Sequence, residues 1–269
     1  MGCSNECMQR KSDVKIEFIN FEEDFNKSHS YPMGVLYISA YLKKNGFTNI
    51  GYVDHMCLLR KIEESRTLFP KRLEEENLKI TEQRRENNLG DLIKHLNNRQ
   101  PHIILLGPIT TPYLVELTDL VERLRQNFSK PLILAGGPHF GKDQMLDGAL
   151  IKCCSGLDGV VVGEAEETIV AIVDRFYYIW RNEKAQPSRI DFLHEGAKMT
   201  NIVIRNKMFM AKKPVRLEDL PSPDMSLLEE YWNNPKIRVD YRYSLSNRRN
   251  PFTRTSRALV DDYSGDGNQ

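Results

Sequence analysis

The residues whose types and spacing can do chemistry gather in loops that each follow a short apolar run. Tyr31-Pro32-Met33-Gly34 is the first, Gly107-Pro108-Ile109-Thr110-Thr111-Pro112 the second, Gly136-Gly137-Pro138-His139-Phe140-Gly141 the third and Gly163-Glu164 the fourth. Glycine lets backbone approach a ligand closely, and hydroxyls or unpaired N–H groups at helix starts hold polar edges. Glycine and proline also turn a chain for structural reasons alone, so one such loop says little and the set says more. The candidate ligand contacts are Pro32, Met33, Gly34, Gly107, Thr110, Thr111, Gly136, Gly137, Pro138, His139, Gly163 and Glu164. His139 has the chemistry to ligate a metal or contact a ligand, and equally to bond backbone.

Several specific chemistries fail on spacing. The loop after the first apolar run holds no Gly-x-Gly-x-x-Gly, which disfavours an NAD enzyme. Gly136-x-x-x-x-Gly141-Lys142 approaches a phosphate-binding loop, but Asp143 stands where Mg²⁺ needs Ser or Thr, and Pro138 removes one cradle N–H. No Cys-x-x-Cys, His-x-x-x-His or Gly-x-Ser-x-Gly occurs, so zinc-site and serine-hydrolase readings have no footing and no catalytic residue is nominated.

The elements that must position these loops alternate. Val14 to Asn20 reads as a strand, and Val35, Ile38 and Leu42 recur on one helical face between Pro32 and Gly46. A second strand ends at Asp54. His102 to Leu106 is a continuous apolar run of the kind buried on both faces, and Leu114, Leu117, Val121, Leu124 and Phe128 mark the clearest helix. Leu132 to Ala135 and Val160 to Val162 supply two more strands, and Glu164 to Trp180 a long helix. This rhythm predicts a doubly wound, Rossmann-like α/β domain with a mainly parallel five-stranded sheet. In such sheets the ligand crevice lies beyond the carboxyl ends of the strands, where all four loops fall. After Arg181 the rhythm breaks into a small hairpin near Asn201–Met210 and a proline-bracketed linker.

The expected organisation is a mobile end at 1–12, an α/β domain at 13–185 with a charged helical excursion at 60–88, a hairpin and linker at 186–233, and a tail at 234–269 without stable structure. Met1-Gly2-Cys3-Ser4 has the start of a lipidation signal, but Glu6 stands where that signal wants Ser or Thr. With 38 basic and 37 acidic residues the net charge is +1, which gives no basic field for nucleic acid. Mean hydropathy is −0.50, and no apolar run nears the ~18 residues of a membrane span. Five cysteines without an even framework fit a reducing, cytoplasmic setting.

At these loops the sequence resembles the cobalamin-binding domain of B12-dependent radical S-adenosylmethionine enzymes. Tyr31-Pro32-Met33-Gly34-Val35-Leu36, followed by Asn45-Gly46-Phe47, is similar to that family's Pro-Pro-Leu-Gly-Leu helix and its ending. Ile133-Leu134-Ala135-Gly136-Gly137-Pro138-His139 resembles its strand and Gly-Gly-Pro-His loop. Asp158-Gly159-Val160-Val161-Val162-Gly163-Glu164-Ala165-Glu166-Glu167 resembles its Gly-Glu-Gly-Glu-Glu helix start, and Leu217-Glu218-Asp219-Leu220-Pro221-Ser222-Pro223 its Leu-Asp-Asp-Leu-Pro-x-Pro linker. The likeness covers about residues 13 to 230.

The resemblance implies a flavodoxin-like fold, with metal-ion binding through the cobalt of cobalamin, the lower base displaced and the nucleotide tail threaded toward the sheet. The Asp-x-His-x-x-Gly signature of methionine-synthase-type domains is absent, Asp143 to Gly148 keeping its spacing with Met145 in place of histidine, so the resemblance does not imply a histidine-ligated cobalt. Thr255-Ser256-Arg257 resembles the lead-in to the family's Cys-x-x-x-Cys-x-x-Cys motif, but Ala258 follows and no cysteine occurs after Cys154. No [4Fe–4S] cluster or S-adenosylmethionine is therefore expected on this chain alone. The expectation is a cobalamin-binding module, methyltransferase-like in kinship and not catalytic by itself: a truncated product, an amino-terminal fragment, or a subunit serving a separate catalytic radical enzyme chain. Two alternatives stand beside it: an incomplete record of a full radical enzyme, and a ligand-binding or sensory module of the same fold without B12.

Overall fold

The computed structural model of the chain describes residues 10–20, 32–54, 86, 89–109, 114–137, 140, 151–183, 202–204, 207–208 and 215–229. The expected excursion at 60–88, except the helical Glu86, and the expected tail at 234–269 lie outside the described residues, as does most of the end at 1–12. Order begins before residue 13: Lys11–Asp13 form a 3₁₀ turn, and Lys11 Nζ reaches Asp174 at 2.6 Å.

The strands β1 (Ile16–Asn20), β2 (Ile50–Asp54), β3 (Ile103–Leu106), β4 (Leu132–Gly136) and β5 (Gly159–Val161) lie in the order β2-β1-β3-β4-β5, all parallel. This is the flavodoxin-like order, in which the chain winds one way from β1 to β2 and the other way from β3 onward. The five-stranded parallel sheet expected from the apolar runs is therefore present. The hairpin is more than an extension beside it: β6 (Ile202–Ile204) pairs antiparallel with β5, and β7 (Lys207–Met208) with β6, giving seven strands. Antiparallel pairing covers the edge that β5 would otherwise leave open.

Helix α1 (Met33–Lys44) starts just after Pro32, whose fixed φ suits the N-cap observed. It ends where Gly46 N–H donates to the Lys43 carbonyl and Phe47 N–H to that of Leu42, a Schellman pattern. Residues 89–99 form α2, followed by α3 (Leu114–Asn127) and α4 (Glu166–Glu183). Leu92 and Leu96 of α2 and Leu117, Leu120, Val121 and Leu124 of α3 share one core with Ile19, Ile104, Leu106, Ile133, Ala135 and Val160. Alternation sends Ile16, Phe18, Ile103, Leu105, Leu132 and Leu134 to the other face, and α1 packs against α4. Glu17 shares the α2 side with Ile19 and is fully buried, held by Arg99 Nε at 3.1 Å and His95 Nε2 at 2.8 Å.

The sheet, its helices and the chain up to Leu227 make one compact unit. Of the second, Glu23–Tyr31 with Leu228–Gln269, the described residues are buried Leu228 and exposed Glu229.

His102, at the entry to β3, staples the amino-terminal edge. Its Nδ1 accepts the Lys15 N–H at 3.0 Å, and its ring lies 4.5 Å from that of Trp180 and 5.8 Å from that of Phe176. Burial, with Lys15 adding to it, lowers its pKa to about 4 from 6.5. The native ring is neutral while the unfolded one charges below 6.5, so stability is present above that value and is lost as pH falls toward 4. Between pH 7 and 5 the loss is roughly 1 kcal/mol once discounted for partial exposure. His102→Asn, whose amide oxygen can replace Nδ1, is expected to flatten the thermal midpoint over that range. An unchanged slope would remove His102 as its cause.

Candidate functional site

The carboxyl edge of the sheet is built from Asn20, Asp54, Leu106, Gly136 and Val161, the last residues of β1 to β5. At its centre the strand ends are stitched by backbone. Gly107 N–H donates to the Ile19 carbonyl at 3.0 Å, and Ile109 N–H to the Gly136 carbonyl at 2.8 Å. A Cβ on Gly107 would stand 2.5 Å from the Gly136 oxygen, and one on Gly137 2.9 Å from the Pro108 carbonyl carbon and 2.8 Å from the Ile109 oxygen. The missing side chains of Gly107 and Gly137 thus let two loops touch each other.

Gly34 and Gly163 behave differently. Both are exposed, and among the described residues no atom beyond the neighbouring backbone lies within 4 Å of where a Cβ would sit. Gly34 is in the first turn of α1, where the earliest intrahelical bond runs from Leu36 N–H to the Pro32 carbonyl at 3.0 Å. The N–H groups of Met33, Gly34 and Val35 precede it and have no intrahelical acceptor. Pro32 supplies no side-chain cap, and the first turn carries no acid, unlike the starts of α3 (Glu116) and α4 (Glu166, Glu167). This is a cradle of donors beneath open space.

Of the residues singled out in the sequence, the structure sets Gly107, Gly136 and Gly137 side by side at the carboxyl ends of β3 and β4. It places Gly163 and Glu164 just past the neighbouring β5, and Pro32, Met33 and Gly34 at the start of α1. Pro32 is buried, Met33 half-buried and Glu164 exposed. Thr110, Thr111, Pro138 and His139 lie outside the described residues.

Asn20 and Asp54 escaped the sequence reading. They are cross-strand partners at the ends of β1 and β2, each 3% exposed. The available signal was a polar residue closing each strand. Glu166 was also passed over as a site residue: it is buried in the first turn of α4, and burial, reinforced by Glu164, raises its pKa against the bonds it accepts from backbone N–H groups.

The arrangement suits a large ligand rimmed with amides. Such a ligand needs unblocked surface and several donors, which the α1 start and the open backbone at Gly34 and Gly163 supply. Among the described residues no group of three His, Cys, Asp or Glu side chains is placed to hold a metal, and no helix is long and apolar enough to cross a membrane.

Compared with known proteins, neither a curated protein nor a solved structure matches the chain. The family model of the B12 binding domain matches residues 27–173, from just before α1 into α4, and implies cobalamin as the ligand. That span is more than half of the 269 residues, takes in the open cradle of α1 and the stitched loops of β3 and β4, and shows that this chain belongs to the B12-binding domain family.

Proposed function

We propose that the chain is a cobalamin-binding module related to the amino-terminal part of B12-dependent radical S-adenosylmethionine enzymes, and that it serves a separate catalytic chain in the cytoplasm. The observation that carries the reading is the donor cradle at Met33–Val35, where no described atom lies within 4 Å of a Cβ on Gly34, at the carboxyl edge of a β2-β1-β3-β4-β5 sheet. The kinship with radical enzymes is supported by the likeness of Gly136-Gly137-Pro138-His139 and Gly163-Glu164 to that family's loops, and by the linker that begins at Leu217. Bound cobalamin would supply a cobalt able to carry a methyl group or support radical chemistry.

The protein's own part is binding and orientation. The N–H groups of Met33, Gly34 and Val35 would donate to polar atoms of the ligand's amide rim or tail, and Pro32, Gly107, Gly136 and Gly137 would shape the floor. Gly163 and Glu164 would border it beyond β5, and Thr110, Thr111, Pro138 and His139 complete the proposed contact set. No cysteine follows Cys154 in residues 155–269, so a Cys-x-x-x-Cys-x-x-Cys cluster motif is not among the residues that contribute to this proposed site.

Incubation with hydroxocobalamin, desalting and a visible spectrum are expected to leave a coloured protein near one equivalent. Gly34→Phe places a ring at a position where a Cβ meets no described atom within 4 Å, and is expected to abolish loading with little change in thermal midpoint. A colourless wild-type protein would overturn the reading.

A further inference from the structure

Past the hairpin, residues 215–227 return to α1 and dock on it mainly through Asp224, with Ser226 and Asp219 beside it. Asp224 N–H donates to the Leu36 carbonyl at 3.0 Å, and its Oδ2 accepts from Ser39 Oγ at 2.5 Å and lies 2.7 Å from Lys43 Nζ. Its Oδ1 accepts from Ser226 Oγ at 2.6 Å, and that hydroxyl in turn accepts from Lys43 Nζ at 2.9 Å. Lys44 Nζ donates to the Asp219 carbonyl at 3.1 Å. Ser39 is fully buried and the Asp224 side chain 9% exposed. Burial alone would raise the Asp224 pKa, but the bonds from Lys43, Ser226 and Ser39 outweigh it and hold the carboxyl below its ordinary value. A segment that reads as a linker is therefore seated on a built receptor.

The seat is one helical turn from the cradle. The Leu36 carbonyl takes the Asp224 N–H, while the Leu36 N–H donates to the Pro32 carbonyl at 3.0 Å. We propose that docking of residues 215–227 on α1 and binding of cobalamin at Pro32–Gly34 are thermodynamically coupled through the first turns of α1, with Asp224 as the positioning residue. This rests on the cofactor reading above. A ligand that takes the N–H groups of Met33–Val35 selects the pose in which the first turn of α1 is fully formed. The strap selects the same pose by holding Leu36, Ser39 and Lys43. Two binding events that favour one state reinforce each other, and by linkage each does so by the same factor.

Hydrogen exchange read by mass spectrometry on the full chain, with and without hydroxocobalamin, tests this in wild type and Asp224→Asn. In the variant, exchange within 219–227 is expected to rise about 10-fold or more, in keeping with loss of charge-assisted bonds. Its hydroxocobalamin Kd is expected to weaken about 5-fold or more. In wild type, hydroxocobalamin is expected to slow exchange of the same segment by the factor the variant loses in affinity, a reciprocity that general destabilisation would not produce. Faster strap exchange with affinity unchanged within about 2-fold, or a strap indifferent to bound hydroxocobalamin, overturns the coupling alone. Wild type that binds no hydroxocobalamin overturns the cofactor reading and the coupling together. Should Asp224→Asn fail to fold, Lys43→Met carries the same expectations, and the wild-type arm needs no variant.

Discussion

Alanine at Gly137 is expected to lower stability by roughly 3 kcal/mol or more and to abolish hydroxocobalamin loading, the largest effect of a single methyl group on this edge. Two costs add. Gly137 has a φ of +137°, where an L side chain is strained, and its Cβ would lie 2.8 Å from the Ile109 oxygen and 2.9 Å from the Pro108 carbonyl carbon. Backbone cannot swing aside as a side-chain tip does, and the loops cannot part without losing the 2.8 Å bond from Ile109 N–H to the Gly136 carbonyl. Gly34→Ala is the matched control: no described atom lies within 4 Å of the new Cβ, and helix propensity favours alanine by about 0.5–1 kcal/mol. Urea denaturation of both variants, read beside visible spectra after loading, decides the matter. A Gly137→Ala protein within about 1 kcal/mol of wild type would mean that the two loops are not locked together.

Asp158→Ala is expected to cost about 3–5 kcal/mol, the range for stripping one partner from a buried ion pair. Arg125 of α3 donates through Nε to the Gly156 carbonyl at 2.6 Å and through Nη1 to the Pro131 carbonyl at 2.7 Å, while Nη2 pairs with Asp158 Oδ2. The same carboxylate oxygen accepts the Ile133 N–H at 2.8 Å, and Asp158 is fully buried. Alanine takes the Asp158 carboxylate away from a guanidinium only 12% exposed and removes the acceptor of the Ile133 N–H. Asp158→Asn keeps an acceptor for Ile133 and is expected to cost less. Thermal and urea midpoints that place alanine no lower than asparagine would show that charge pairing is not what holds the end of α3 against β4 and β5.

Asp158 also shows how motif likeness and physical role diverge. It opens the stretch that resembles a family loop, yet in the fold it clamps a helix end. The strands and the helices α1, α3 and α4 were legible because burying one face demands a period, and Ile103–Leu106 or Leu117–Leu124 display it plainly. Strand order was legible only as a class, since alternation of strand and helix implies a parallel sheet without saying which neighbour each strand takes. The candidate site was legible as loops, because glycine and proline punctuate strand ends. It was not legible which glycines face solvent and which face another loop. Gly34 and Gly137 look alike in sequence and are opposites in space.

By itself the sequence determined the class of fold and the glycine- and proline-rich loops that close its strands, because periodicity and turn chemistry are local properties. Only the tertiary structure decided that the hairpin joins the sheet, that Asn20 meets Asp54, that Arg125 finds Asp158 and that Asp224 seats on Ser39 and Lys43. Each of these joins residues distant along the chain, in the last case 185 positions apart. Which distant partners meet is set by how the layers close over the core, and no local pattern encodes it.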